Sequence, residues 1–218
     1  MRPSGVVSGP RENTPMSALR MPFLMPVADV FSLNQGRLVM LAGRIERGRI
    51  TNGDEVEIVG PESGGTAHVV GIDAQRVRID EASAGMNVGL LLKGAEAGRA
   101  ERGQVLAAPG SIAAHTVFTA DIALLPEKEG GCEVPAGGHL DLYVRTATVR
   151  GRVTLPRGMD AVRPLHTATV TVTLERPAVL EEGQPFAFRR YGRAAGSGTV
   201  VRLWDGMRHL PGEFPRVS

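Results

Sequence analysis

A single cysteine, Cys132, is the only thiol in this 218-residue chain. An intramolecular disulfide and a cysteine-rich metal site are therefore excluded, and Cys132 reads as a passive thiol in a loop. The five histidines, His68, His115, His139, His166 and His209, are scattered, and neither HExxH nor CxxC occurs. No metal motif is legible in them. A nucleophile elbow is missing too, because Gly196-Ser197-Gly198 lacks the GxSxG spacing and the strand-to-helix setting. GxxxxGK[ST], the loop that cradles nucleotide phosphates, occurs nowhere. No catalytic group and no cofactor are expected. The first twenty residues have no continuous apolar core of a secretory leader, and no run of eighteen apolar residues occurs. That pattern predicts a cytoplasmic protein with no membrane partner.

Charge of one sign is also lacking. Twenty-five Lys plus Arg stand against 23 Asp plus Glu. Residues 1–110 hold 12 basic and 12 acidic residues, which leaves 13 and 11 for 111–218. Neither half is an electrostatic magnet for phosphate, and DNA is not an expected partner. Lysine is confined to Lys93 and Lys128, so the cations are otherwise arginines. They cluster at Arg44, Arg47 and Arg49, at Arg150, Arg152 and Arg157, and at Arg189, Arg190 and Arg193. Interleaved with Glu46 or spaced along alternating segments, each cluster reads as a solvated face.

What is abundant is punctuation. Twenty-eight glycines and fifteen prolines cut the chain into short segments, and β-branched runs such as 88–92, 117–125 and 167–174 lie between them. Long helical periodicity is absent. The pattern predicts an all-β protein of strands and turns, and the length suits two units of roughly 100 residues each. A Pro-Gly pair within Ala107-Ala108-Pro109-Gly110 marks the boundary. The expected organisation is a first barrel over 21–108 and a second over 109–206. The segments 1–20 and 207–218 are expected to be disordered, being rich in Pro, Gly, Ser and Arg or lacking pattern.

The most informative stretch is Gly43 to Gly60, GRIERGRITNGDEVEIVG. Ile45 and Ile50 bracket a polar turn at Gly48, and Asn52-Gly53-Asp54 offers a tight turn. Val56 and Ile58 then alternate with Glu55 and Glu57. The segment reads as a β-hairpin in a barrel wall with one wet face.

Its wording is more specific than its pattern. Together with Pro22-Phe23-Leu24, Asp29-Val30-Phe31-Ser32, Asn87-Val88-Gly89, Glu101 to Ala107, His115-Thr116, Glu129-Gly130-Gly131, Arg145-Thr146 and Glu182-Gly183, it resembles, in order, bacterial elongation factor Tu. The resemblance runs from about Met21 to Asp205 and covers the family's second and third domains. It implies two consecutive small β-barrels, like domains 2 and 3 of that factor, without the GTPase domain. The nucleotide switch that drives the family's cycle has no counterpart in these residues.

The resemblance also implies a site. In the family the second domain helps hold the aminoacyl end of tRNA. Asp29 and Phe31 fall on an acid and an aromatic of that surface, and Asn87 on an asparagine. Asp73, Arg76 and Leu91 fall near the pocket for the terminal adenosine. The first acid of a pair becomes Ala28, a glutamate is shortened to Asp73, and Gln75 stands where the family has an aromatic or His. The loop Asn34-Gln35-Gly36-Arg37-Leu38 carries one inserted residue. An aspartate can accept from an α-amino group, a phenyl ring can wall a side chain, and an asparagine can pair at a carbonyl edge. Structural roles are open to the same residues: Phe31 in the core, Asp29 as a turn cap, Asn87 as a left-handed turn residue beside Gly85.

In the third domain the implied tRNA surface is rewritten. Cys132, Glu133 and Asp141 stand where the family brings Arg, His and Gln to the T-stem backbone, and two of these changes put carboxylates near phosphates. The loop from Val134 to His139 is shortened by two residues, Arg190 replaces an acid, and Arg176 keeps a cation. Two classes of function follow. One is a nucleotide-independent module that recognises an aminoacyl-tRNA acceptor end. The other is a protein-interaction paralogue that meets a GTPase domain, an exchange factor or the ribosome without touching tRNA. Intact strands, turns and glycines disfavour a third reading, a gene copy that folds without a role.

Overall fold

The computed structural model describes residues 16–33, 38–61, 64–94 and 97–204. The expected disorder of the first fifteen residues and of the tail, and the inserted loop at 34–37, lie outside these. The chain divides into two compact units, Met1–Ile112 and Ala113–Ser218.

In the first unit the strands are β1 (Leu24–Pro26), β2 (Asp29–Leu33), β3 (Leu38–Arg44), β4 (Arg49–Thr51), β5 (Glu55–Val59), β6 (Thr66–Ala74), β7 (Val77–Ile79), β8 (Glu81–Ser83), β9 (Asn87–Lys93) and β10 (Val105–Ala107). Antiparallel pairing gives one sheet in the order β1-β10-β5-β6-β9-β3-β2, with β7 added to β6 and a separate β4-β8 pair. The sheet curls until Leu24 of β1 bridges Arg47, just beyond β3. Alternation supplies the interior: Val39, Leu41, Val56, Ile58, Ile72, Leu90 and Leu92 are buried in one apolar cluster. Burying such side chains contributes roughly 1.5–3 kcal/mol each.

Two expectations are corrected here. Met16–Arg20, placed by the sequence in a disordered leader, forms a short helix, α1. Ala18 and Leu19 pack on the core, and the Gly48 amide donates to the Ala18 carbonyl at 2.7 Å. Gly43 to Gly60 is strand, turn and strand, but not a hairpin. The turn is real, with the Asp54 amide donating to Thr51 O and the Thr51 amide to Asp54 Oδ2. Its flanking strands nevertheless pair elsewhere, β4 with β8 and β5 with β6 and β10. The reason is that β6 captures the turn: Gly53 N donates to Val69 O, and Val69 N to Asp54 O.

The second unit holds β11 (Ala114–Leu124), β12 (Val134–Pro135), β13 (His139–Val144), β14 (Ala147–Thr154), β15 (Ala161–Val162), β16 (Thr167–Val179), β17 (Pro185–Arg190) and β18 (Arg193–Trp204). Six of these close a barrel in the order β11-β16-β14-β13-β17-β18, and β12 pairs with β15. Phe118, Phe186 and Phe188 fill it, the first two edge to face at 5.8 Å between centroids. Gly196 and Gly198 leave the space those rings occupy, for a Cβ on Gly198 would lie 2.5 Å from Phe186 Cζ and one on Gly196 would meet Phe188. Gly196-Ser197-Gly198 is thus a packing device within β18.

Candidate nucleic-acid interface

The register of four neighbouring strands gathers the residues picked out in the first barrel. Asp29 of β2 lies opposite Ala42, Ala42 opposite Gly89, and Gly89 opposite Asp73. In the next row Phe31 lies opposite Met40, Met40 opposite Leu91, and Leu91 opposite Gly71. One row to the other side, Asn87 lies opposite Arg44. Residues paired across an antiparallel sheet share a face, as do residues two apart on one strand. Asp29, Phe31, Asp73, Asn87 and Leu91 therefore stand on the outer face of one sheet. With strands spaced about 4.8 Å apart, Asp29 and Asp73 are roughly 14 Å from each other, and Asp29 and Phe31 roughly 7 Å. The arrangement is a shallow platform.

One irregularity makes it. In β6 the register shifts between Val69 and Gly71, so Val70 is an extra residue. Ala67 and Val69 point inward before it and Ile72 after it. Without that bulge the alternation would turn Asp73 into the core and Ile72 out of it.

The structural roles proposed for the three central residues do not hold. Phe31 is 46% exposed, so it is not core. Asn87 opens β9, and the left-handed backbone nearby belongs to Gly85 at φ 92°. Asp29 is an exposed residue within β2. Leu91 is 9% exposed although it lies on the outer face. Beside it Met40 is half-buried, its sulfur placed over Gly89, where a Cβ would come to 2.9 Å.

Asp73 and Arg76 behave differently. Asp73 accepts an ion pair from Arg78 Nε at 3.0 Å, and the Arg78 guanidinium covers the face of Gly71, filling the space a Cβ would take there. Gln75 and Arg76, at φ 50° and 65°, form the two-residue turn between β6 and β7. Arg76 is exposed at its tip. Sequence reasoning missed Arg78, Met40 and Arg44 as parts of this face. The two-residue hairpin Ala74-Gln75-Arg76-Val77, which sets Arg78 opposite Asp73, was the signal that could have found the first.

Arg176 stands apart, in β16 of the second unit, where its guanidinium donates to the Thr148 carbonyl at 2.9 Å. Among the rewritten positions, Cys132 packs against the second core and Glu133 is exposed. Asp141 lies between two cross-strand arginines, Arg150 and Arg189. No group of three His, Cys, Asp or Glu side chains that could hold a metal occurs among the described residues. Nor is any helix there long and apolar enough to cross a membrane.

Two family models match the chain. Elongation factor Tu domain 2 matches residues 39–107, and the elongation factor Tu C-terminal domain matches residues 111–204. Both are non-catalytic binding domains, and the barrels they describe are the two seen here. By these two matches the chain belongs to the elongation factor Tu family through its domains 2 and 3, and is built of translation-factor binding modules.

Proposed function

We propose that the first barrel binds the aminoacyl end of tRNA on its outer platform. The observation that carries this reading is the register that puts Asp29 and Phe31 on one face of an exposed edge strand, with Leu91 in the row of Phe31 and Asn87 one row beyond Asp29, both two strands away. Asp29 accepts from the α-amino group, and Phe31 with Met40 and Leu91 supplies an apolar bed for the amino-acid side chain. Asn87 pairs at the ester carbonyl. Because the Asp73 carboxylate is engaged by Arg78, that corner offers a guanidinium to the terminal nucleotide in place of a free acid. Arg76 adds a second cation at the turn. Arg176, fixed to a backbone carbonyl, serves as an RNA-backbone cation on the second barrel.

Titration of the purified chain with aminoacylated and deacylated tRNA tests this. The charged form binds more tightly, and Phe31→Ala and Asp29→Asn each remove that preference. Unfolding free energies stay within about 0.5 kcal/mol of the parent, as for exposed positions generally. Equal binding of the two tRNA forms by the parent chain would overturn the reading. Capture of a translation factor or ribosome with no tRNA binding at low salt would establish the protein-interaction reading instead.

A further inference from the structure

We propose that the outer edge of β2 pairs with β2 of a second copy of this chain, antiparallel about a twofold axis at Phe31. β2 ends the sheet of the first barrel, and among the described residues β3 is its one strand neighbour. On such a strand alternate amide and carbonyl groups point away from the sheet and are free to take a partner. Edge strands are ordinarily blunted by a central charge, a proline, a bulge or extreme shortness. Other edges in this chain carry these devices: Arg78 sits at the centre of β7, Arg49 and Glu81 lie on β4 and β8, and β12 is two residues long and ends in Pro135. β2 carries none of them. It runs five residues in unbroken register with β3, has its one charge at the end, and leaves Phe31 46% and Leu33 37% exposed.

The residues of the strand select its occupant. A twofold axis at Phe31 sets Phe31 against the partner's Phe31, Asp29 against the partner's Leu33, and Val30 against the partner's Ser32. No like charges meet, whereas the same operation on β7 would set one Arg78 against another. Phe31 already ends an outward row that runs through Met40 from Leu91. Pairing joins that row to its twofold copy across six strands, with an aromatic cross-strand pair at the centre. A peptide from another protein can use the same amides. What favours a second copy is that β2 is its own complement, apolar at its centre and charged only where the twofold turns the charge away from itself. With five residues a side, the contact lies below the roughly 1,200 Å² at which stable interfaces begin, and it gives a weak, concentration-dependent dimer. It extends the sheet edge to edge and leaves the outward face uncovered, so it does not rest on the aminoacyl reading of that face.

Sedimentation equilibrium of the purified chain from about 10 μM to about 1 mM tests the proposal, a span that reads the affinities of small interfaces. The parent should move from the monomer mass toward twice it. Phe31→Lys and Phe31→Glu each set like charges directly opposite and should raise the dissociation constant at least roughly 10-fold. An equimolar mixture of the two should recover a dimer with one copy of each, because opposite charges then meet, and that recovery also shows both variants to be folded. Leu33→Lys, which sets an ammonium against the partner's Asp29, should hold or strengthen the dimer. A parent chain that stays monomeric at about 1 mM would overturn the proposal, as would a dimer that persists in both Phe31 variants or a mixture that stays monomeric. A monomeric parent whose β2 amides exchange more slowly when an extended apolar peptide is added would assign the edge to another protein instead.

Discussion

At the scale of single residues, Gly48 shows how the small first barrel closes. Its φ is +72°, and a Cβ there would lie 2.6 Å from the backbone N and Cα of Phe23 and 2.7 Å from Met21 O. These are backbone atoms, which cannot swing aside as a long side chain can. The Gly48 amide also fastens α1, and its carbonyl accepts from Ala84 N at 2.9 Å. Gly48→Ala therefore combines an unfavourable backbone region with a clash, and should cost on the order of 3 kcal/mol. Urea unfolding measures it. A loss under about 1 kcal/mol would mean that the chain before β1 does not lie against Gly48. Gly71 is the contrasting case, for an added Cβ meets only the movable end of Arg78. Its substitution displaces the guanidinium from the platform more than it destabilises the barrel.

At the scale of elements, the second barrel is tied by Arg145. It sits in the β13–β14 turn at φ 51° with its side chain 7% exposed, and its guanidinium donates to Val179 O, Gln184 Oε1 and Glu181 Oε2. One side chain thus fixes one turn to the connection between β16 and β17. Arg145→Met removes these bonds and leaves the carbonyl of buried Val179 without this donor, which should cost about 2 kcal/mol. Arg145→Lys should not restore it, because an ammonium cannot reproduce the planar fork. Thermal unfolding of both variants checks this. The element scale also explains what the sequence could reveal. The alternation of Val56 and Ile58 with Glu55 and Glu57 declared a half-buried strand, and the Thr51–Asp54 turn was legible from its residues. The partners of those strands were not, since a turn specifies a local reversal and not which strand captures it. Phe31 was ambiguous for a related reason. In Asp29-Val30-Phe31-Ser32-Leu33 both phases of the alternation carry apolar residues, and only pairing with β3 sends Val30 inward and Phe31 out. The Val70 bulge, which aims Asp73 outward, is written as a Val-Val-Gly doublet that breaks period two, but a doublet alone does not say which neighbour is extra.

At the scale of the whole molecule, 25 cations against 23 anions give a formal charge of +2, too small to attract RNA from a distance. Any affinity must come from a few local contacts, and salt dependence counts them. Among the described residues, the arginines without a carboxylate partner include Arg76, Arg190 and Arg193, whereas Arg78 is held by Asp73, and Arg150 faces Glu175 at 3.8 Å. Two to four phosphate contacts at about 0.7 each for single strands predict a slope of log K against log salt between roughly −1 and −3. A slope steeper than about −5 would require a phosphate track that neither barrel displays. A slope near zero, with binding retained, would mean that the apolar contacts at Phe31 carry the affinity alone. Repeating the titration with Phe31→Ala separates these cases. If that variant loses affinity at unchanged slope, the aromatic ring supplies the binding and the arginines only its orientation.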